Sequence, residues 1–281
     1  MAEAANNHSF QQKKVRILNK NGNKLVGILH ESGTKEIVIL CHGLGASKET
    51  SMMTNLTAAL ENAGISSFRF DFNGVGESEG SYVFGSYWRE VDDLHTVAQH
   101  FHEANRIVHA IVGHSKGANV ALLYASKYHD IKTVVNLSGS YNLKGALERY
   151  FGKDYMERIR KKGFIPFNKI LELGELRITE ESLKDRLNIN MHEECLQIDR
   201  ECRVFTVHGN ADSLIPVEDA FEFAKILPNH KLHIIEGADH IYRDHRVELE
   251  SVVVNFIKET LQLDRSPMEL VNDANCSVVT F

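Results

Sequence analysis

Ser115 stands in Gly113-His114-Ser115-Lys116-Gly117, directly between the apolar run Val108 to Val112 and a helix-like stretch from Gly117 to Tyr128. A serine hydroxyl is a weak nucleophile until a base takes its proton, and a tight strand-to-helix turn lifts it into reach of a carbonyl. Small residues are needed on both sides because such a turn brings neighbouring backbone too close for larger side chains. The base and the acid that orients it must then come from elsewhere in the chain. Two loops supply them: Val207-His208-Gly209-Asn210-Ala211-Asp212 and Glu236-Gly237-Ala238-Asp239-His240, each following an apolar run. Only His240 among 15 histidines lies on a glycine-bearing loop after the last strand-like run, C-terminal to both Ser115 and Asp212. The expected chemistry is acyl transfer: Ser115 attacks, His240 moves the proton, and Asp212 fixes the imidazole tautomer. Two alternatives stay open here, Asp212 as a capping residue before the next helix and Asp239 as the acid.

A fourth motif, Cys41-His42-Gly43-Leu44-Gly45, closes another apolar run. Its glycines let backbone approach a ligand, so the N–H groups of Leu44 and Lys116 are the expected oxyanion donors. Both act through backbone, and replacing either side chain is expected to matter less than moving the loop. His42 reads as a structural hydrogen-bonder rather than a base.

These motifs need a scaffold that brings strand ends to one edge. The chain opens with two alternating or apolar runs, Val15 to Leu18 and Leu25 to Leu29, about Asn21-Gly22, which is a hairpin signal. Short Val/Ile-rich runs then alternate with helical segments. The strands are Ile37 to Cys41, Ser67 to Phe72, Val108 to Val112, Thr133 to Leu137, Val204 to Val207 and Lys231 to Ile235. Helices are expected from about Lys48 to Ala63, Tyr87 to Phe101, Gly117 to Tyr128, Val217 to Ile226 and Arg246 to Leu261. Strand then helix, repeated, predicts an α/β fold with a covered, mostly parallel sheet whose ligand crevice lies at the C-terminal strand ends.

The rhythm fails from about Tyr141 to Arg200, where Ala146 to Arg160, Lys169 to Leu173 and Glu180 to Arg186 look helical and no strong strand is evident. The expected division is a core of residues 13–140 and 201–262, an inserted cap at 141–200, and loose tails at 1–12 and 263–281. A long helical crossover without a lid role is the alternative. Substrate choice should reside in the insert, with Tyr141 and Asn142 expected to touch substrate. Tyr82, Phe84, Tyr87 and Trp88 read as core packing or as the pocket mouth.

The whole set resembles one family. His42-Gly43, Asp71-Phe72-Asn73-Gly74-Val75-Gly76-Glu77-Ser78-Glu79-Gly80, the Ser115 turn, the Asp212 loop and Gly237-Ala238-Asp239-His240 resemble the serine aminopeptidase S33-like branch of α/β-hydrolases. Within that branch the chain is similar to cinnamoyl/feruloyl esterases and their plant relatives, over roughly residues 13 to 262. The resemblance implies a mostly parallel eight-stranded sheet, an N-terminal antiparallel hairpin and a helical insertion between strands six and seven. It also implies hydrolysis of small-molecule carboxylic esters, aromatic acyl groups included, with no metal or organic cofactor. Thioesterase, peptidase, lipase and hydroxynitrile lyase chemistry use the same triad, and a hydrolase-derived small-molecule receptor would keep it with little turnover. Two positions depart from the pattern: Val75, where His or Asn is frequent, and Ala118, where a second glycine is common. The Asp71 to Gly80 stretch reads as a turn in which Asp71 and Glu77 bond local N–H groups.

Composition excludes some partners. A net charge of -6 over 281 residues disfavours nucleic acid and anionic membrane, and the basic run Arg158 to Lys162 reads as a solvated helix face. Met1 to Phe10 has no apolar leader pattern and no segment approaches a membrane span, so a cytosolic or nuclear setting is expected. Four cysteines do not form a disulfide framework or a zinc pattern.

Overall fold

The computed structural model describes residues 11–167 and 176–264. β1 (Gln11–Leu18) and β2 (Lys24–Glu31) form the expected hairpin, with Asn19 to Asn23 as the turn and Gly22 at φ 80°. Then come β3 (Glu36–Cys41), α1 (Ser51–Asn62), β4 (Ser66–Phe70), α2 (Tyr87–Glu103), β5 (Ile107–His114), α3 (Lys116–Tyr128) and β6 (Thr133–Leu137). After an insert follow β9 (Arg203–Gly209), α8 (Glu218–Ile226), β10 (His230–Ile235) and α9 (Arg246–Asp264).

Eight strands form one sheet in the order β1-β2-β4-β3-β5-β6-β9-β10. The β1–β2 and β2–β4 pairings are antiparallel and all the others parallel. Side chains alternate across the strands and build a core on each face. Ile37, Ile39, Phe68, Phe70 and Ile111 meet α2, α3 and α8 on one face. Val38, Leu40, Val112, Val135 and Phe205 meet α1 and α9 on the other. Sheets covered on both faces need continuous apolar strands, which is why these runs were legible without strict alternation.

The insert holds α4 (Leu143–Phe151), α5 (Tyr155–Lys162), β7 (Ile165–Phe167), β8 (Leu176–Ile178), α6 (Glu180–Asn188) and α7 (Met191–Leu196). It departs from expectation in three ways. The single helix expected over Ala146 to Arg160 is broken at Gly152, whose φ of 84° takes the chain out of α4. A two-stranded antiparallel ribbon, β7 with β8, occurs where no strand was expected, because three-residue strands carry too little alternation to read. The short helix α7 was also missed. The helix expected at Lys169 to Leu173 lies outside the described residues.

A third apolar cluster, with Phe84, Leu147, Tyr155, Ile159, Phe167 and Leu183, gives this insert its own small core against the loop before α2. Met191 and Cys195 of α7, by contrast, join the main core beside α3. Phe84 and Tyr87 are buried, which favours the packing reading of those aromatics. Among the described residues no helix is long and apolar enough to cross a membrane.

Candidate functional site

Three loops at the C-terminal edge of the sheet converge. Ser115 links β5 to α3 with φ 55° and ψ −118°, a conformation costly for a residue with a side chain. Its N–H donates to the Leu137 carbonyl at 2.8 Å, which ties the turn to β6. The glycines are sterically required: a Cβ on Gly113 would lie 2.2 Å from the Gly117 carbonyl oxygen, and one on Gly117 2.4 Å from that of Cys41.

His240, on the loop after β10, sits with Nε2 3.0 Å from Ser115 Oγ and Nδ1 2.6 Å from Asp212 Oδ2. An ionised Asp212 requires the proton on Nδ1, which leaves the Nε2 lone pair to accept from the serine hydroxyl. Burial alone would raise the Asp212 pKa, but hydrogen bonds from His208 and His240 dominate and hold it well below the usual carboxylate range. Its other oxygen, Oδ1, accepts from the N–H groups of Leu214 and Ile215 at 2.8 and 2.9 Å. The capping alternative therefore describes only half of this residue, and α8 starts later, at Glu218. Asp239 accepts instead from the Arg243 N–H at 2.9 Å.

The Leu44 loop lies against the same turn. A Cβ on Gly43 would come within 3.1 Å of Ser115 Cβ, so only glycine lets the loop approach without displacing a neighbour. Among the described residues, neither the Leu44 N–H nor the Lys116 N–H meets an acceptor; Lys116 begins α3, where N–H groups have no partner inside the helix. His42 donates from Nδ1 to the Gly43 carbonyl at 2.9 Å and accepts at Nε2 from the Phe72 N–H at 3.2 Å. Burial lowers its pKa to about 4, so the ring stays neutral and braces the loop.

Several supporting residues had no assigned role in the sequence. His114 Nε2 donates to the His240 carbonyl at 2.8 Å, and burial with the nearby His240 lowers its pKa to about 3. His208, fully buried, places Nε2 3.0 Å from the Ile215 carbonyl and 3.3 Å from Asp212 Oδ2. Tyr242 donates to the Val207 carbonyl at 2.8 Å and meets Ser138 Oγ at 2.7 Å, which staples the His240 loop to β6 and β9. His114 and His208 stood inside quoted motifs; a histidine one residue before the serine and four before the aspartate was the available signal. Tyr242 offered none.

The Lys116 side chain is less expendable than expected. It is buried, its Nζ lies 2.5 Å from Glu90 Oε1, and burial pushes Lys116 down and Glu90 up, both toward neutrality. Truncating it would strand a buried carboxylate. Tyr141 and Asn142, expected to touch substrate, have other partners. Tyr141 donates its N–H to Asp219 at 2.8 Å and pairs its hydroxyl with His192 at 2.6 Å, and the Asn142 side chain accepts from the Gly145 N–H as the cap of α4. Neither is hydrogen-bonded to the Ser115–His240–Asp212 row. In the Asp71 to Gly80 turn, Asp71 accepts from the Glu77 N–H, as expected for local bonding, and also from the distant Lys48 N–H. Glu77 differs: it pairs with Lys14 and Lys48 at 2.7 and 2.8 Å.

Residues 32–163 match the family model described as serine aminopeptidase, S33. An uncharacterised protein of Saccharomyces cerevisiae is 23% identical, with 81% of this chain and 79% of that protein covered. Among solved structures, Est1E from Butyrivibrio proteoclasticus with ferulic acid bound is 19% identical at a TM-score of 0.70, covering 88% of this chain and 100% of that one. An esterase of Pyrococcus furiosus is 24% identical at 0.70, with 89% and 91% covered. Mouse alpha/beta hydrolase domain-containing protein 10 is 16% identical at 0.71, with 88% and 99% covered. The fold is that of the α/β-hydrolases.

Proposed function

From an α/β-hydrolase fold whose residues 32–163 carry the S33 pattern, we propose that this protein hydrolyses carboxylic esters of small molecules through an acyl-enzyme on Ser115. The observation that carries this reading is the continuous row from Ser115 Oγ through His240 to Asp212 Oδ2, at 3.0 and 2.6 Å. In the first step His240 Nε2 takes the hydroxyl proton as Oγ bonds to the ester carbonyl carbon. The carbonyl oxygen becomes an oxyanion, received by the N–H groups of Leu44 and Lys116. Collapse expels the alcohol, which takes the proton from His240. Water, deprotonated by His240, then attacks the acyl-enzyme and releases the acid and free Ser115. Asp212 holds the imidazole and stabilises its charged form throughout.

The insert between β6 and β9 is assigned the role of a cap that selects the acyl group. The likeness to Est1E, solved with ferulic acid, supports aromatic cinnamoyl-type esters among the substrates. A reducing compartment, the cytosol or nucleus, suits the free buried thiols of Cys41, Cys195 and Cys202. The test is hydrolysis of p-nitrophenyl acetate, p-nitrophenyl butyrate and methyl ferulate beside a folded Ser115→Ala variant. Loss of about three or more orders of magnitude in the variant supports the assignment. A folded parent no faster than the variant on all three esters overturns it and leaves a receptor with little turnover.

A further inference from the structure

Arg186, on α6 of the insert, is 4% exposed, and among the described residues its guanidinium has one hydrogen bond, from Nε to the Leu143 carbonyl at 3.2 Å. Among the described residues no carboxylate lies within ion-pair distance of it. The neighbouring acids are engaged elsewhere: Glu90 with Lys116, and Asp185 with the N–H groups of Tyr87 and Trp88 at 2.6 and 2.9 Å. A buried guanidinium that has a backbone carbonyl and two aromatic rings beside it, but no carboxylate among the described residues, is costly and calls for an explanation in the ligand or the function. In the same neighbourhood the Tyr82 hydroxyl is buried with no hydrogen-bond partner among the described residues.

These groups lie around the side chain of the residue that follows Ser115. Lys116 follows Ser115 directly, and its Nζ is 5.7 Å from the centre of the Tyr82 ring and 5.1 Å from that of Tyr87. Arg186 Cζ is 5.8 Å from the same Tyr87 ring and 5.8 Å from Phe84. Lys116 cannot serve as the free cation here, because Glu90 already neutralises it.

We infer that Arg186, with the Tyr82 hydroxyl, forms a subsite for an anionic group of the substrate beside the Ser115 turn, and that the esters this protein takes carry a carboxylate. The inference rests on the hydrolase reading for the identity of the bond cleaved, but not for the anion preference. A guanidinium presents planar paired donors that match a carboxylate, and a phenol adds a third. The carboxylate can sit on the acyl or the alcohol side of the ester, and the two are separable by experiment.

The test is calorimetric titration of the folded Ser115→Ala protein, where no turnover interferes. Monomethyl succinate, glutarate and adipate carry the anion on the acyl side, and 3-acetoxypropionate and 4-acetoxybutyrate carry it on the alcohol side. The dimethyl diesters and methyl acetoxy esters are the neutral counterparts. The expected result is that at least one anionic ester binds about tenfold or more tightly than its neutral counterpart. Adding Arg186→Gln should bring that ratio near one, Arg186→Lys should keep part of it, and Tyr82→Phe should reduce it by a smaller factor. Equal binding of anionic and neutral esters overturns the inference, as does a preference that survives Arg186→Gln. Should Arg186→Gln not fold, the ratios in Arg186→Lys and Tyr82→Phe decide: unchanged in both, the subsite is rejected. Parent turnover of p-nitrophenyl butyrate reads the hydrolase assignment separately, so an inactive parent that still prefers anions sinks that assignment and not this one.

Discussion

Two regions of the molecule differ in how their polar groups are treated. Along Ser115, His240 and Asp212 every side-chain nitrogen and oxygen has a partner within hydrogen-bond distance, and the loops that carry them are stapled by His114, His208 and Tyr242. At Arg186 and Tyr82 strong donors stand with few or no acceptors. The first region is organised before any ligand arrives, as catalysis by fixed dipoles requires. The second is incomplete without one. On the proposed reading the difference separates chemistry from recognition: the row would serve many esters, whereas the insert would favour some.

The comparison can be broken most sharply at Asp212. Asp212→Asn should keep the Leu214 and Ile215 hydrogen bonds yet lower kcat by about three to four orders of magnitude, because the amide favours the wrong imidazole tautomer. Steady-state kinetics on a folded variant checks this; a loss below tenfold would mean that another group orients His240. Gly113→Ala, whose Cβ would meet backbone at 2.2 Å, should destabilise the protein by about 3 kcal/mol or more in urea titration. Full stability there would mean that the turn is not under constraint.

Acid should loosen the braces before it touches the carboxylates. His42 and His114 have folded pKa values of about 4 and about 3 against an ordinary 6.5, so the unfolded chain binds more protons between those values. Their contribution is complete well above pH 6.5 and is lost as pH falls toward the folded values; roughly 3 kcal/mol should go between pH 6.5 and 5. Thermal melts across that range check the sign, and a Tm that stays flat down to pH 5 would exclude it. Tyr242→Phe removes the hydroxyl that joins Ser138 to the Val207 carbonyl, and should cost about 1–3 kcal/mol with a fall in kcat larger than any rise in KM. The smallest effect is expected of Asn142→Ala, about 1 kcal/mol from the lost cap of α4. A large rise in its KM would return Asn142 to the substrate pocket.

How far the sequence could be read follows from where the signals are local. Strands covered on both faces and a serine between glycines announce themselves within a few residues, so β3 to β6, β9, β10 and the elbow were legible. Ser115, Asp212 and His240 could be named because each follows such a strand. The insert was harder because its elements are short and pack in a small core of their own: Gly152 broke an expected helix, and β7 and β8 were too brief to detect. Tyr141 and Asn142 were chosen by position alone, while their partners, Asp219, His192 and Gly145, are a matter of three-dimensional proximity. Arg186 entered the sequence reading only as the end of a helical stretch, and its burial is a matter of three-dimensional packing.

The place of β10 at the sheet edge, next to β9 and last in the order, bears on how the protein is born. Ser115 and His240 lie 125 residues apart in the chain. At synthesis rates of about 5–20 residues per second, Ser115 emerges about 6–25 seconds before His240. Throughout that interval the elbow can fold against β3 and β6 while its serine remains an ordinary alcohol. On the proposed mechanism Ser115 gains its base only when the final strand and α9 dock, so a truncated or stalled nascent chain would be chemically silent.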